Sequence, residues 1–152
     1  MIQKKDIVVL EAIRLLEMGK RVTLPVNGKS MLPFILGGIE SVELVKENGL
    51  KVGDIVLAWV NNAYYVVHRV VQIKDCHVCL MGDGNLRGVE HCLLSDVAAK
   101  ADYIVDCNGI RHYLYTPQKR LAAFVWRILL PIRRWLLAIY RRTYLKLRYN
   151  EN

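Results

Sequence analysis

Polar and apolar positions recur with one period near the N-terminus of the chain and another through its middle. Between residues 7 and 18, Glu11, Arg14 and Glu17 recur at three-residue spacing, while Val9, Leu10, Ile13 and Leu16 lie largely away from them. That spacing predicts a short amphipathic helix packed on a body. Asp6 stands where an N-cap would, and Gly19 where the helix would stop. From Arg21 to about Tyr115 the runs "RVTLPV", "SVELV", "DIVLAWV", "AYYVVHRVVQI", "HVCLMG" and "YIVD" are β-branched and aromatic, divided by Gly, Asn, Asp and Lys. They predict strands of a mostly antiparallel β domain. "VNNAYY" reads as a hairpin, because Asn61 and Asn62 tolerate positive φ. Along Tyr64–Ile73, alternation puts Tyr64, Val66, His68, Val70 and Gln72 on one face, and Tyr65, Val67, Arg69, Val71 and Ile73 on the other.

Thr116-Pro117 marks a boundary, after which the spacing turns helical again: Leu121, Phe124, Val125, Ile128, Leu129, Ile132, Leu136, Ile139 and Tyr140. Pro131 predicts a kink or a break between two helices. The division expected is a body over residues 1–118, with its N-terminal helix, and a helical tail over 119–152. Charge separates along the same line. Residues 1–118 hold 13 Lys/Arg and 13 Asp/Glu, whereas residues 119–152 hold nine Lys/Arg and one acid, Glu151, which accounts for the net charge of +8. A neutral body with a basic amphipathic tail predicts an anionic partner. Trp126 and Trp135 among arginines suit a helix lying in lipid headgroups, so residues 119–152 are expected to bind an anionic membrane surface, with no nucleic acid as partner.

Glu11, Arg14 and Glu17 interrupt any apolar N-terminal run long enough to be exported or to span a bilayer. The expected location is therefore cytoplasmic and peripheral, at the inner face of the membrane. Free thiols follow for Cys76, Cys79, Cys92 and Cys107. "CHVC" at 76–79 has a spacing seen in zinc sites, but in an alternating strand its two sulfurs face opposite sides. Buried or half-buried thiols are expected instead, with no metal and no cofactor.

The chemically distinctive stretch is "GKSMLPFI", residues 28–35. Gly28 permits close backbone approach, Pro33 stiffens the bend, and Ser30 between them is held for attack if a base is within reach. Two later residues supply one. His68 interrupts an apolar strand, where a polar side chain needs a partner or an open face. Asp83 lies in "LMGDGN", a turn directly after a strand. Serine, histidine and aspartate in that relation make a nucleophile, a general base and an orienting acid.

"GKSMLPFI", then "VGDIVLAWVNNAYYVVHRVVQI", then "LMGDGN" together resemble the serine peptidases of the signal peptidase I and phage/SOS-repressor superfamily. His68-Arg69 is similar to the branch whose base is histidine, found in the endoplasmic reticulum, archaea and spore formers. The likeness covers about residues 22–105. It implies a coiled, mainly β fold, attack by Ser30, proton transfer to His68, and Asp83 on the Gly-Asp aspartate. It also implies an oxyanion and substrate site around Gly28, Lys29 and Met31, filled by a peptide or protein bound as an extended strand. A further aspartate usual beyond the Gly-Asp is replaced by "LRGVEH", where Glu90 is the nearest acid; after the serine motif the usual Gly-Asp is "GGIES", with Glu40 nearest. Either Asp83 or Glu90 is thus the candidate to orient His68. The expected activity is that of a serine endopeptidase tethered by its C-terminal helices. The alternatives are a catalytically silent binding or regulatory module, and a repressor-like autopeptidase, for which no helix-turn-helix is recognisable.

Overall fold

Every strand pairing among the described residues is antiparallel. The computed structural model describes residues 4–46 and 49–145. In chain order the elements are α1 (Lys4–Glu17), β1 (Val22–Pro25), β2 (Ser41–Val45), β3 (Ile55–Val60), β4 (Tyr64–Lys74), β5 (His77–Met81), β6 (Glu90–Leu93), β7 (Val97–Val105), β8 (Arg111–Tyr113), α2 (Pro117–Ile128) and α3 (Arg133–Tyr140). The strands form one sheet in the order β1-β2-β7-β3-β4-β5-β6, with β8 paired to β7, curled into a half-barrel.

The N-terminal helix begins earlier than its sequence pattern predicts. Asp6 lies inside α1 rather than capping it, because the helix opens at Lys4. Its end is as expected: Gly19 takes φ +78, with Gly19 N–H bonding the Leu16 carbonyl and Lys20 N–H that of Leu15. Those two bonds are the paired closure of a helix that stops on a left-handed glycine. Ala12 and Leu16 insert into the main core beside Leu24, Leu44, Leu57 and Ala101. Burying a leucine of this kind stabilises by about 1.5–3 kcal/mol.

Asn61 and Asn62 take φ of 52° and 53° and close the β3–β4 hairpin, as their side chains predict. The alternation of β4 holds from Tyr65 to Val70 and then slips. Its register with β5 shifts between Val70 and Gln72, and Ile73 packs with Val66 and Val70 rather than on the Arg69 face. One extra residue in a strand rotates everything after it by a face. β6 and β8 were not expected, and β7 is longer than "YIVD". Each face of the sheet has its own core: Ile55, Leu57 and Ala99 on one, Val56, Ala58, Val70 and Leu80 on the other.

Among the described residues the tail is two α-helices, with Pro131 in the break between them, followed by a π-helical turn at Arg141–Leu145. Thr116 caps α2, its hydroxyl accepting from Lys119 N–H at 3.4 Å. The inner face of the tail overlaps the predicted stripe at Tyr140 but otherwise draws on other residues. Ala123, Trp126, Arg133, Leu137 and Tyr140 turn toward the body, whereas Leu121, Phe124, Val125, Ile128, Ile132 and Ile139 are exposed. Residues 146–152 of the tail lie outside the described residues. No helix of the described residues is long and apolar enough to cross a membrane.

Candidate active site

His68 and Arg69 are consecutive on β4, so their side chains leave the sheet on opposite faces. Both are 5% exposed, and each has found a carboxylate. His68 Nδ1 lies 3.0 Å from Glu90 Oε2. Arg69 grips Asp83 by a fork, Nε to Oδ1 at 2.8 Å and Nη2 to Oδ2 at 2.7 Å, and its Nη1 donates to the Gly53 carbonyl at 2.8 Å. The expectation that Asp83 orients His68 is therefore corrected: Asp83 serves Arg69. Geometry explains it. The turn carrying Asp83 leaves β5 after Met81, which is paired with Arg69, and its carboxylate falls on the Arg69 side of β4. Glu90 comes from β6, opposite Leu80, which in turn pairs with Val70. It thereby reaches His68 on the other face.

The loop bearing Ser30 runs from β1 to β2 and docks on that same turn. Gly84 N–H donates to the Ser30 carbonyl at 2.7 Å. The approach is possible because Gly82 and Gly84 have no side chains: a Cβ at Gly82 would collide with the Ser30 carbonyl, and one at Gly84 with the Lys29 carbonyl. Since Arg69 pairs with Met81 and Val70 with Leu80, the next step of the register sets Gly82 beside His68. The Ser30 backbone therefore lies against the turn that follows Met81, the strand partner of Arg69 and so of His68's neighbour in the chain, and no hydrogen bond joins the serine hydroxyl to the imidazole. His68 Nε2 makes no hydrogen bond within the described residues.

The neighbours of Ser30 differ in kind. Gly28 is exposed, with φ +85, a conformation other residues resist. Lys29 is exposed. Met31 is 1% exposed in the main core, so its side chain anchors the loop and does not line an opening. Phe34 lies under Arg69, with the guanidinium 5.3 Å from the ring centre. Glu40 accepts from Leu36 N–H at 2.7 Å and shapes the loop's return.

Asp54, from the "GDIV" stretch, is fully buried. Its Oδ2 accepts from Lys51 N–H at 3.0 Å, Lys100 Nζ stands 3.7 Å away, and Arg120 of α2 reaches Oδ1 at 3.6 Å. The cysteines are free, and the expectation of buried thiols holds for only part of the set. Cys92 is buried and Cys79 half-buried, whereas Cys76, in the β4–β5 turn, and Cys107 are exposed. Burial pushes the Cys92 thiol up to about 11, far from a reactive thiolate at neutral pH.

Sequence reasoning singled out Ser30 and His68, noted Glu90 as a nearby acid, and did not anticipate that Trp126 and Arg133 hold the turn on which the Ser30 loop docks. Trp126 Nε1 donates to the Asp83 carbonyl at 2.7 Å, so it is turned inward and is no headgroup residue. Arg133 is 2% exposed and donates to the Asn85 carbonyl at 3.0 Å. The apolar spacing of the tail signalled neither, and the two lie on different helices on either side of the break at Pro131. Compared with known proteins, the chain matches no family model, no curated protein and no solved structure.

Proposed function

We propose that the protein is a serine endopeptidase of the signal-peptidase-like type, in which Ser30 attacks a peptide carbonyl and His68 takes its proton. The observation that carries this reading is the Glu90–His68 pair at 3.0 Å, beside Arg69 in the strand, whose partner Met81 leads into the turn on which the Ser30 loop docks. A carboxylate on Nδ1 fixes the tautomer that leaves Nε2 as the base, and it stabilises the imidazolium formed once the hydroxyl proton is taken. The hydroxyl oxygen then bonds to the carbonyl carbon, and His68 returns the proton to the departing amine. Water repeats the sequence to free the enzyme. Backbone N–H groups of the Gly28–Met31 bend are placed in the chain to hold the oxyanion, a contribution of about 3 kcal/mol in enzymes of this chemistry.

The substrate in this reading is a peptide or protein segment in extended form. β1 is an edge strand paired only with β2, and Ser30 follows soon after it in the chain. A peptide laid along that edge would satisfy its own backbone groups and bring a carbonyl to the serine. The outer face of α2 and α3 is apolar and cationic and contains no acid, which fits the surface of an anionic bilayer.

A fluorophosphonate probe tests the chemistry directly. Wild type is expected to label covalently, Ser30→Ala not at all, and His68→Ala at a rate lower by about 10²–10⁴. Equal failure of wild type and Ser30→Ala to label would overturn the peptidase reading in favour of a silent binding module.

A further inference from the structure

Resting on that reading, we propose that the C-terminal helices are a strap that positions the nucleophile, with Trp126 and Arg133 as its positioning residues. The chain of contacts is short and continuous. Ser30 hands its carbonyl to Gly84 N–H at 2.7 Å, and the turn closes on itself through Asn85 N–H to the Gly82 carbonyl at 3.0 Å. Two carbonyls of that turn point outward, and the tail answers both. Trp126 Nε1 takes that of Asp83, and Arg133 Nη1 takes that of Asn85. Arg133 Nη2 also donates to the Trp126 carbonyl at 2.9 Å, so one guanidinium ties α2 to α3 and both to the turn.

The serine loop is held from its other side by the same helices. Leu137 packs on Leu32 and Leu36, and the Trp126 ring stands edge-on to Phe34 with centroids 6.3 Å apart. Ser30 lies between these grips.

Arg133 is an expensive way to make a merely structural contact. It is almost wholly buried, its Nε has no partner, and none of its hydrogen bonds goes to a carboxylate. Burial pulls its guanidinium below the ordinary value, and the charge of Asp83 opposes that. A leucine would fill the space without desolvating a cation. What a leucine lacks is a planar fork able to fix two carbonyls on different segments at once.

The test pairs a readout of contact with a readout of chemistry. Trp126→Phe keeps the ring and deletes only its N–H; Arg133→Met keeps most of the volume and deletes the fork, and Arg133→Lys returns one charged donor. Amide exchange at Gly84 is expected to speed up about tenfold or more in Trp126→Phe and Arg133→Met, with partial recovery in Arg133→Lys. Maximal fluorophosphonate labelling of Ser30 should fall in step, while the half-saturating probe concentration and the melting temperature of Trp126→Phe stay near wild type. A purely structural role would move the melting temperature and spare the labelling of the folded fraction. Unchanged Gly84 exchange in both deleting variants overturns the strap, whatever labels. Altered exchange in a protein whose wild type never labels overturns the peptidase reading and leaves the strap standing.

Discussion

Glu90 and Asp83 are both acids within reach of β4, yet removing their charges should have different consequences. Glu90→Gln preserves shape and one hydrogen bond to His68 but removes the counter-charge for an imidazolium. Labelling of Ser30 should slow by about 10²–10⁴, with the urea midpoint close to wild type. Asp83→Asn strands the buried Arg69 charge instead, and breaking one partner of a buried pair costs about 3–5 kcal/mol. Its signature should be a fall in the urea midpoint. Normal labelling in Glu90→Gln would remove the acid from the mechanism. Residue identity singled out Ser30 and His68, because few roles suit a serine on a stiff bend or a histidine in an apolar strand, and the structure gives His68 the acid partner that a buried polar residue needs. The pairing of acids was not legible. It depends on which side of β4 a turn falls, and spacing along the chain does not encode that.

Among the elements, α1 and most strands could be read because their apolar residues recur at helical or strand spacing or, as in β3, run unbroken between turn residues. β6 and β8 could not: "EHCL" and "RHY" are short and polar, and they pair because longer neighbours offer free edges. The bulge at Val70–Gln72 was equally hidden, since alternation assumes that no residue is extra. A single side chain joins the ladders where β3 ceases to pair with β7. Tyr115 donates its hydroxyl proton to the Ala101 carbonyl at 2.6 Å, and the same oxygen accepts from Ile55 N–H at 3.0 Å. Burial comes first among the causes that raise its phenol above the usual value, so the proton stays on and the donor role holds at any ordinary pH. Tyr115→Phe leaves the ring in place and orphans two buried backbone groups. It should cost about 1–3 kcal/mol in urea denaturation. A variant as stable as wild type would mean that water substitutes for the hydroxyl.

Across the whole molecule, the charge asymmetry of the sequence becomes a two-sided object. The inner face of α2 and α3 holds the turn and the serine loop, and the outer face carries Leu121, Phe124, Ile128, Trp135 and Ile139 among exposed arginines. The helical spacing was visible in the chain, but its phase was not, because the buried face uses an alanine, a tryptophan and an arginine where a leucine stripe would be expected. The two faces are separable by mutation. Arg134, Arg141 and Arg142 are exposed, and none of them is hydrogen-bonded to the body, so changing all three to Gln spares Trp126, Arg133 and Leu137. Each cation near an anionic leaflet contributes about 1 kcal/mol, so the triple variant should bind phosphatidylserine-containing vesicles about 100-fold more weakly in co-sedimentation. Wild-type binding should also weaken as salt rises, since screening shortens the reach of those charges. Trp135 is 69% exposed with the Arg134 guanidinium 5.9 Å from its ring, and on the bilayer reading it would supply the salt-resistant part: Trp135→Ala should lower binding to neutral and anionic vesicles alike. If the arginine variant sediments as wild type does on anionic vesicles, the cationic outer face is a solvated surface and the bilayer is not its partner.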